Sequence, residues 1–143
     1  MLLGQYQLSL DKDRSLVIPE PLRGLFADGA YITRGFENNL LIMSDRVFRE
    51  KYQQIMALNM ADPIARLLLR LILGNASKLE INQSGHVLIP QDLMSFANLE
   101  KDVRLVGLGD YLEVWAPTHW EKQSIILLDA EANAERFAHL DLV

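Results

Sequence analysis

The chain has 143 residues, of which half are hydrophobic and 23% are charged, a balance that suits one domain or two small ones packed together. It contains no cysteine, which excludes a disulfide framework and a metal site with cysteine ligands. The net charge of −5 disfavours polyanions on average, but it is uneven: residues 1–73 carry nine Lys/Arg against eight Asp/Glu, and residues 74–143 carry five against eleven.

The first unit of predicted structure begins at the N-terminus. Residues 1–4 run straight into patterned sequence, and the longest apolar run is closed by Arg70, so we expect no signal peptide and no membrane span. Alternating polar and apolar residues, Asx-led turns and Pro19, which has no N–H for a ladder, mark the strand ends. The predicted elements are strands at residues 5–10, 16–18, 30–34 and 40–43, and a short helix at residues 20–26 with Leu22, Leu25 and Phe26 on its apolar side.

Two longer helices are predicted to follow the first unit. Ser44 or Asp45 caps the first of them. Pro63, after Asp62, opens the second, which ends near Gly74. The apolar positions of the first helix are Phe48, Tyr52, Ile55 and Met56, and those of the second are Ile64, Leu67, Leu68, Leu71 and Ile72.

The second unit repeats the plan of the first. Strands are predicted at residues 77–81, 87–89, 103–106 and 112–115, with helices at residues 91–97, from about 118, and at 129–139, where Phe137 is the main apolar contact. Residues 10–19 align with residues 81–90 at a shift of 71, and after one added residue Gly35 aligns with Gly107 and Leu40 with Leu112. Two units are too few for a solenoid, so a closed pair with pseudo-twofold symmetry is expected.

The turn between the first two strands of each unit is the candidate site. The first turn holds Lys12, Asp13 and Arg14, and the second holds Gln83, Ser84, Gly85 and His86. Cationic side chains and backbone N–H groups in a tight loop can contact phosphates, and arginine can also pair with guanine. Because the first half has the positive balance of charge, a polyanion would meet that half. The alternative is that both are ordinary polar hairpin turns.

The repeated elements resemble a known family. Residues 10–19 and 81–90, which read apolar residue, Asx, polar turn and an apolar run ending in Ile-Pro, resemble SpoVT-AbrB domains. Two such domains joined by the segment at residues 62–76 resemble the MraZ regulators. Residues 105–115 are also similar to the second strand pair of that family. The resemblance covers roughly residues 1–122.

The resemblance implies an α+β fold, mainly β, in which tandem SpoVT-AbrB units form a double swapped-hairpin (double-ψ-like) β-barrel with flanking helices. We expect a first unit with its trailing helix at residues 1–61, a bridging helix at 62–75, a second unit at 76–122 and a C-terminal tail helix at 123–143. The family also implies assembly of several copies into a homo-oligomeric ring.

The resemblance further implies a bacterial transcriptional regulator, a repressor that binds tandem short repeats in double-stranded DNA upstream of the division and cell-wall gene cluster. This function implies no cofactor, no small-molecule substrate and no membrane, and it places the protein in the cytoplasm at the nucleoid. The DNA-binding residues implied in the two loops are Lys12, Arg14, Ser15, Ser84, Gly85 and His86.

Both loops depart from the Asp-x-x-Gly-Arg pattern of the family. Without a gap, Arg14 stands where the family has glycine and Ser15 where it has arginine. In the second loop Asn82 replaces the aspartate and His86 replaces the arginine. Arg14 can still reach DNA if the first turn is one residue tighter. The alternative function is a diverged, ring-forming scaffold that binds a partner protein and has lost strong DNA binding, which the acidic second half favours.

Other patterns indicate neither an enzyme nor a metal centre. The three histidines have no ligand spacing, and the Gly107–Gly109 stretch lacks the third glycine of a dinucleotide loop. Arg66 and Arg70 lie four residues apart on the bridging helix, as a cationic stripe or as a solvated face paired with acids. Trp115 and Trp120 are expected to anchor the second core.

Overall fold

A computed structural model describes residues 1–142 of the chain. Its elements are, in chain order, β1 (Leu2–Ser9), β2 (Ser15–Val17), a 3-10 helix (Glu20–Phe26), β3 (Ala30–Arg34), β4 (Leu40–Ser44), α1 (Asp45–Met56), α2 (Pro63–Ile72), β5 (Ser77–Leu79), β6 (His86–Leu88), α3 (Gln91–Phe96), β7 (Asp102–Gly109), β8 (Tyr111–Trp115), α4 (Pro117–Leu128) and α5 (Ala130–Ala138). The predicted strands and helices occur in this order, and their ends differ from the predicted ends by at most three residues.

The two repeat units exchange strands. The large antiparallel sheet has the order β1-β7-β8-β4-β3-β5, so β1 of the first unit pairs with β7 of the second. In the same way β5 of the second unit pairs with β3 of the first. A separate two-stranded sheet is formed by β2 and β6, again one strand from each unit. Neither unit therefore completes a sheet by itself.

A pseudo-twofold axis relates the units. In the small sheet Leu16 pairs with Val87, which is its counterpart at the shift of 71. In the large sheet Leu41 pairs with Glu113, which is its counterpart at the shift of 72. An antiparallel pair in which a residue faces its own counterpart lies on a twofold axis. The duplicated sequence therefore folds as a symmetric pair, as its repeat predicted.

One hydrophobic core joins the two units. Leu16 and Ile18 from the first unit and Val87 and Ile89 from the second are at most 1% exposed. Burial of such side chains contributes roughly 25 cal/mol per Å² of apolar surface, so each unit is stabilised by the other. All five residues of β4 are buried, because the strand has this core on one face and a smaller cluster on the other. The smaller cluster contains Leu41, Met43 and Val47.

The outer face of the second unit is more polar than that of the first. Glu113, opposite Leu41, accepts hydrogen bonds from Trp115 Nε1 at 3.0 Å and from Asn39 Nδ2 at 2.9 Å. Burial raises the pKa of this carboxyl above its ordinary value, although the two hydrogen bonds lower it. Trp115 is buried and its ring packs on that of Trp120 with centroids 5.6 Å apart, as the sequence predicted for this core.

The helix starts agree with the predicted caps. The Ser44 hydroxyl accepts from the backbone N–H of Val47 at 3.3 Å, and the Asp62 carboxylate accepts from that of Ile64 at 2.8 Å. The predicted apolar face of α2 is wrong in part, because Ile64 and Leu67 are 75% and 64% exposed. The helix buries Ala65 and Ile72 instead, since it packs only against α1 and β3 on one side.

Four other side chains that were predicted to be apolar contacts remain partly exposed, namely Leu25, Tyr52, Met56 and Phe137. The C-terminal helices explain the last of these. No residue of α4 is buried, and α5 buries only Asn133, whose amide donates to the carbonyl oxygens of Ile126 and Leu127. These two helices therefore pack mainly on each other. None of the helices in residues 1–142 is long and apolar enough to cross a membrane.

The structure shows a mixed α+β fold with tandem repeats and exchanged strands, but it does not show the predicted closed β-barrel. In the described part of the chain, β1 and β5 each pair with one neighbour and are the two edges of the large sheet. The strands that would close it, β2 and β6, are three residues long and pair only with each other. Pro19 and Pro90 follow them closely and cannot donate to a longer ladder.

Candidate nucleic-acid interface

The first turn, residues 11–15, is held by the side chain of its first residue. The Asp11 carboxylate accepts hydrogen bonds from the backbone N–H groups of Asp13 and Ser15, each at 2.9 Å. Main-chain bonds join the Asp11 N–H to the Ser15 oxygen at 3.0 Å and the Arg14 N–H to the Asp11 oxygen at 3.1 Å. Aspartate and asparagine favour turns because their side chains can form such bonds.

The second turn, residues 82–86, repeats these hydrogen bonds. The amide oxygen of Asn82 accepts from the backbone N–H groups of Ser84 and His86, each at 3.0 Å. The Asn82 N–H bonds the His86 oxygen at 3.3 Å, and the Gly85 N–H bonds the Asn82 oxygen at 2.9 Å. The fourth residue of each turn is left-handed, with φ of 63° at Arg14 and 82° at Gly85.

This agreement settles how the two loops align. The first turn is not one residue tighter than the second, so the expectation that a tighter turn brings Arg14 into the usual arginine position is wrong. Arg14 stands at the glycine position, where the left-handed backbone costs a residue with a Cβ about 1 kcal/mol. Ser15 stands at the position of His86.

The strands β2 and β6 place the two turns at opposite ends of one ribbon. Ser15 is opposite Leu88, and Val17 is opposite His86. Successive side chains of a strand point to opposite faces, so these four lie on the face away from the buried central pair. Val17 and Leu88 are exposed on it, whereas Ser15 and His86 are partly exposed. These four residues are called the ribbon face below.

The first turn carries two cations and two carboxylates. Lys12 and Asp13 are exposed, while the Asp11 carboxylate is occupied by the N–H groups of the turn. The Arg14 guanidinium is partly buried and donates to the Gln91 side-chain oxygen of α3 at 3.4 Å. The first turn therefore presents Lys12 at its tip and Arg14 toward the helix of the other unit.

Sequence reasoning missed Arg23, which stands over the second turn. Its Nε donates to the backbone oxygen of Ile18 at 2.7 Å. A Cβ built on Gly85 would lie 2.3 Å from this Nε, so the guanidinium fills the space beside the glycine. The repeat offers a signal for this contact, because the counterpart of Arg23 is Met94 and the counterpart of Gly85 is Arg14. Each end of the ribbon thus has one arginine, supplied from opposite sides.

The arrangement can bind a polyanion. Within residues 1–142 the ion pairs found are the two on α1, so neither Arg14 nor Arg23 is neutralised by a carboxylate contact. Guanidinium groups bind phosphates and guanine edges through paired N–H donors. A two-stranded ribbon is also one of the elements that the DNA major groove admits. The two flanking turns could then reach the backbone on either side.

The remaining candidates contribute little to this site. His86 Nδ1 is buried without a hydrogen-bond partner, and Ser84 is exposed at the tip of the second turn. Arg66 donates to the backbone oxygens of Met60 and Ala61, so it ties down the segment before α2 and does not form a free cationic stripe. Residues 1–142 contain no group of three or more His, Asp or Glu side chains that could hold a metal ion.

The chain is similar to known proteins along nearly its whole length. A family model described as "MraZ protein, putative antitoxin-like" matches residues 1–71 and again residues 72–140. The transcriptional regulator MraZ of Roseiflexus sp. (strain RS-1) is 33% identical over 138 residues, which are 96% of this chain and 94% of that protein. The regulator of the same name from Herpetosiphon aurantiacus is 34% identical over 121 residues, 85% of each chain. That of Clostridium tetani is 28% identical over 142 residues, 99% of this chain and 100% of its own.

Proposed function

This chain belongs to the MraZ family of transcriptional regulators, a non-enzymatic family, and on that premise we propose that it binds double-stranded DNA through the ribbon face and its two turns. The observation that carries the proposal is the pair of turns with the same hydrogen bonds at the two ends of one ribbon. The DNA contacts are Lys12, Arg14 and Ser15 at one end, and Ser84, Gly85 and His86 at the other, with Arg23 supplying the cation that the second turn lacks.

The affinity of one chain for DNA is modest in this proposal. Each phosphate contacted by a cation contributes about 0.9 to the slope of log affinity against log salt concentration. One chain offers Lys12, Arg14 and Arg23, partly opposed by the exposed carboxylate of Asp13. Several linked copies on tandem sites raise avidity by roughly 10²–10⁴ without any new contact. A ring that reads repeated short elements therefore suits these weak individual loops.

The biological role follows the same premise. We propose a repressor that acts as an oligomeric ring on tandem repeats upstream of the division and cell-wall gene cluster, in the cytoplasm at the nucleoid. In this proposal residues 1–61 and 76–122 each provide one turn, residues 62–75 join them, and residues 123–143 form a tail. No cofactor and no small-molecule substrate take part.

A second function is favoured by two observations. Ser15 and His86 stand where the family's loops have arginine, and residues 74–143 carry eleven Asp/Glu against five Lys/Arg. Both features weaken attraction to DNA. The second proposal is a ring-forming scaffold that binds a partner protein and retains no strong DNA binding.

The experiment is a gel shift and salt titration with the purified protein and its own upstream DNA. The test variant is the double substitution Lys12→Ala with Arg14→Ala, and we expect affinity to fall by at least about tenfold and the salt slope by up to about 1.8 per engaged loop, from 0.9 for each lost contact. Arg46→Ala is the matched control, because it removes one exposed cation from α1, away from the ribbon.

The two functions give different outcomes. Loss of binding in the double variant with normal binding by Arg46→Ala supports DNA recognition by the first turn. Unchanged affinity and slope in the double variant contradict it. Failure of the wild-type protein to retain this DNA even at low salt, together with a stable complex with a partner protein, supports the scaffold.

A further inference from the structure

The helices α4 and α5 expose an apolar surface that the chain itself does not cover. No residue of α4 is buried, and its consecutive residues Ile125, Ile126, Leu127 and Leu128 are 45–82% exposed. Phe137 and Leu140 in and after α5 are 44% and 60% exposed. A helix with apolar residues on several sides is typical of a buried element, not of a solvated one. A continuous exposed apolar surface of this kind indicates an interaction site.

The helices α1 and α2 form an apolar groove with the outer face of β4. Its cavity has a volume of about 370 Å³ and is open to solvent. Lys51 lies at the groove, and the apolar lining includes Phe36, Leu41, Met43, Ile55, Leu58 and Leu68. Phe36 is 70% exposed and Leu58 40% exposed, so the groove has apolar walls and no occupant from its own chain.

The groove and the exposed helices are counterparts in the two repeats, and their charges are opposite. The shift of 72 that relates β4 to β8 also places α1 on α4. Residues 45–73 carry five Lys/Arg and three Asp/Glu, a net charge of +2. Residues 117–142 carry two Lys/Arg and five Asp/Glu, a net charge of −3. Opposite net charges favour contact between the two surfaces and disfavour contact of either one with itself.

We infer that α4 and α5 of one copy pack into the α1–α2 groove of the next copy. This inference rests on the proposed ring and names the surfaces that build it. α1 and α2 pack on β3 and α1 also on β4, whereas α4 packs on β7, across the pseudo-twofold axis. A contact between two unlike surfaces on opposite sides of a subunit is head-to-tail, and it generates a closed ring when the rotation between copies closes.

The test uses two variants that each break one surface. The helix variant carries Ile125→Asp and Leu128→Asp, and the groove variant carries Phe36→Asp and Leu58→Asp. All four side chains are exposed within one chain, so the subunit should fold, which circular dichroism will check. Tyr52→Asp is the matched control, because this residue is on α1 and 46% exposed but does not line the groove. Mass is measured by light scattering for each protein and for the mixture of the two variants.

A head-to-tail contact predicts a specific pattern of masses. The wild type and Tyr52→Asp form the ring, and each surface variant alone is a monomer. The two variants mixed form a dimer and nothing larger, because the mixture contains one intact helix surface and one intact groove. Two variants that stay monomeric when mixed overturn the pairing of these two surfaces.

The remaining outcomes separate this inference from the proposed function. Rings that persist in both variants overturn the interface and leave the ring standing. A wild-type monomer overturns the ring and the interface together. A wild-type ring that follows the predicted masses but fails to bind the upstream DNA overturns DNA recognition and supports the interface.

Discussion

The two turns that flank the ribbon share a main chain and differ in charge. In both, an Asx side chain accepts two backbone N–H groups and the fourth residue is left-handed. In the first turn that residue is Arg14, whose side chain points across to α3 of the other unit. In the second turn it is Gly85, and Arg23 of the first unit occupies the space beside it.

This difference separates the shape of a turn from its chemistry. The shape depends on the first residue, because Asp11 and Asn82 form the same hydrogen bonds with and without a charge. The positive charge can come from the turn itself or from a distant element such as the 3-10 helix. A loop motif read along the chain therefore undercounts the cations around it.

The largest expected effect is from Gly85→Ala. The new Cβ would lie 2.3 Å from Arg23 Nε, and alanine at φ 82° is strained. We expect a loss of roughly 2–3 kcal/mol in the free energy of unfolding, about 1–2 from the backbone and about 1 from the hydrogen bond between Arg23 and Ile18. Urea denaturation measures it. Arg14→Ala at the equivalent position is the control and should cost little, since that site already holds a side chain. Equal losses in both would contradict the proposed difference.

A smaller loss, similar in the two turns, is expected from Asp11→Ala and Asn82→Ala. Each removes the acceptor of two backbone N–H bonds in an exposed turn. We expect about 1 kcal/mol for each variant, the net contribution of a typical hydrogen bond. Asp11→Asn should keep the stability, because it installs the residue of the second turn. A large loss in Asp11→Asn would mean that the charge, and not the geometry, holds the first turn.

The smallest change in stability is expected from Arg14→Gly, which gives the first turn the residue of the second. Glycine relieves the left-handed strain of about 1 kcal/mol, although it also gains freedom in the unfolded chain. We therefore expect unchanged or slightly raised stability and DNA affinity that falls roughly fivefold at physiological salt, from one lost phosphate contact. Denaturation and a fluorescence binding titration on the same sample test this. Loss of both stability and binding would assign Arg14 a structural role instead.

The elements of the fold were predictable because their signals are local. The 3-10 helix at Glu20–Phe26 and the strand at Ala30–Arg34 have the predicted ends, since Pro19 and the alternation of side chains act within a few residues. The repeat also predicted the pseudo-twofold axis, which the pairing of Leu16 with Val87 confirms. The resemblance to MraZ regulators, drawn from the same motifs, is confirmed by the family match over both repeats.

The parts that could not be predicted depend on contacts between distant residues. Pairing of β1 with β7 is not encoded in either strand alone, and the position of Arg23 beside Gly85 requires that exchange. The exposure of Ile64 and Leu67 has the same origin, because an apolar stripe predicts that a surface is covered but not by which partner. The roles of Lys12, Ser84 and His86 in DNA binding remain predictions.

The exchange of strands has a consequence during synthesis of the chain. β1 pairs with residues that lie 93 to 107 positions later, from Ser9 with Asp102 to Leu2 with Gly109. At roughly 5–20 residues per second, a ribosome needs about 5–20 s to produce that partner after β1 has been made. Until then β1 has no partner in its own chain, and an unpaired strand edge can pair with another nascent chain. The polar residues Gln5, Gln7 and Ser9 that alternate along β1 reduce this risk, so the first strand is built to wait.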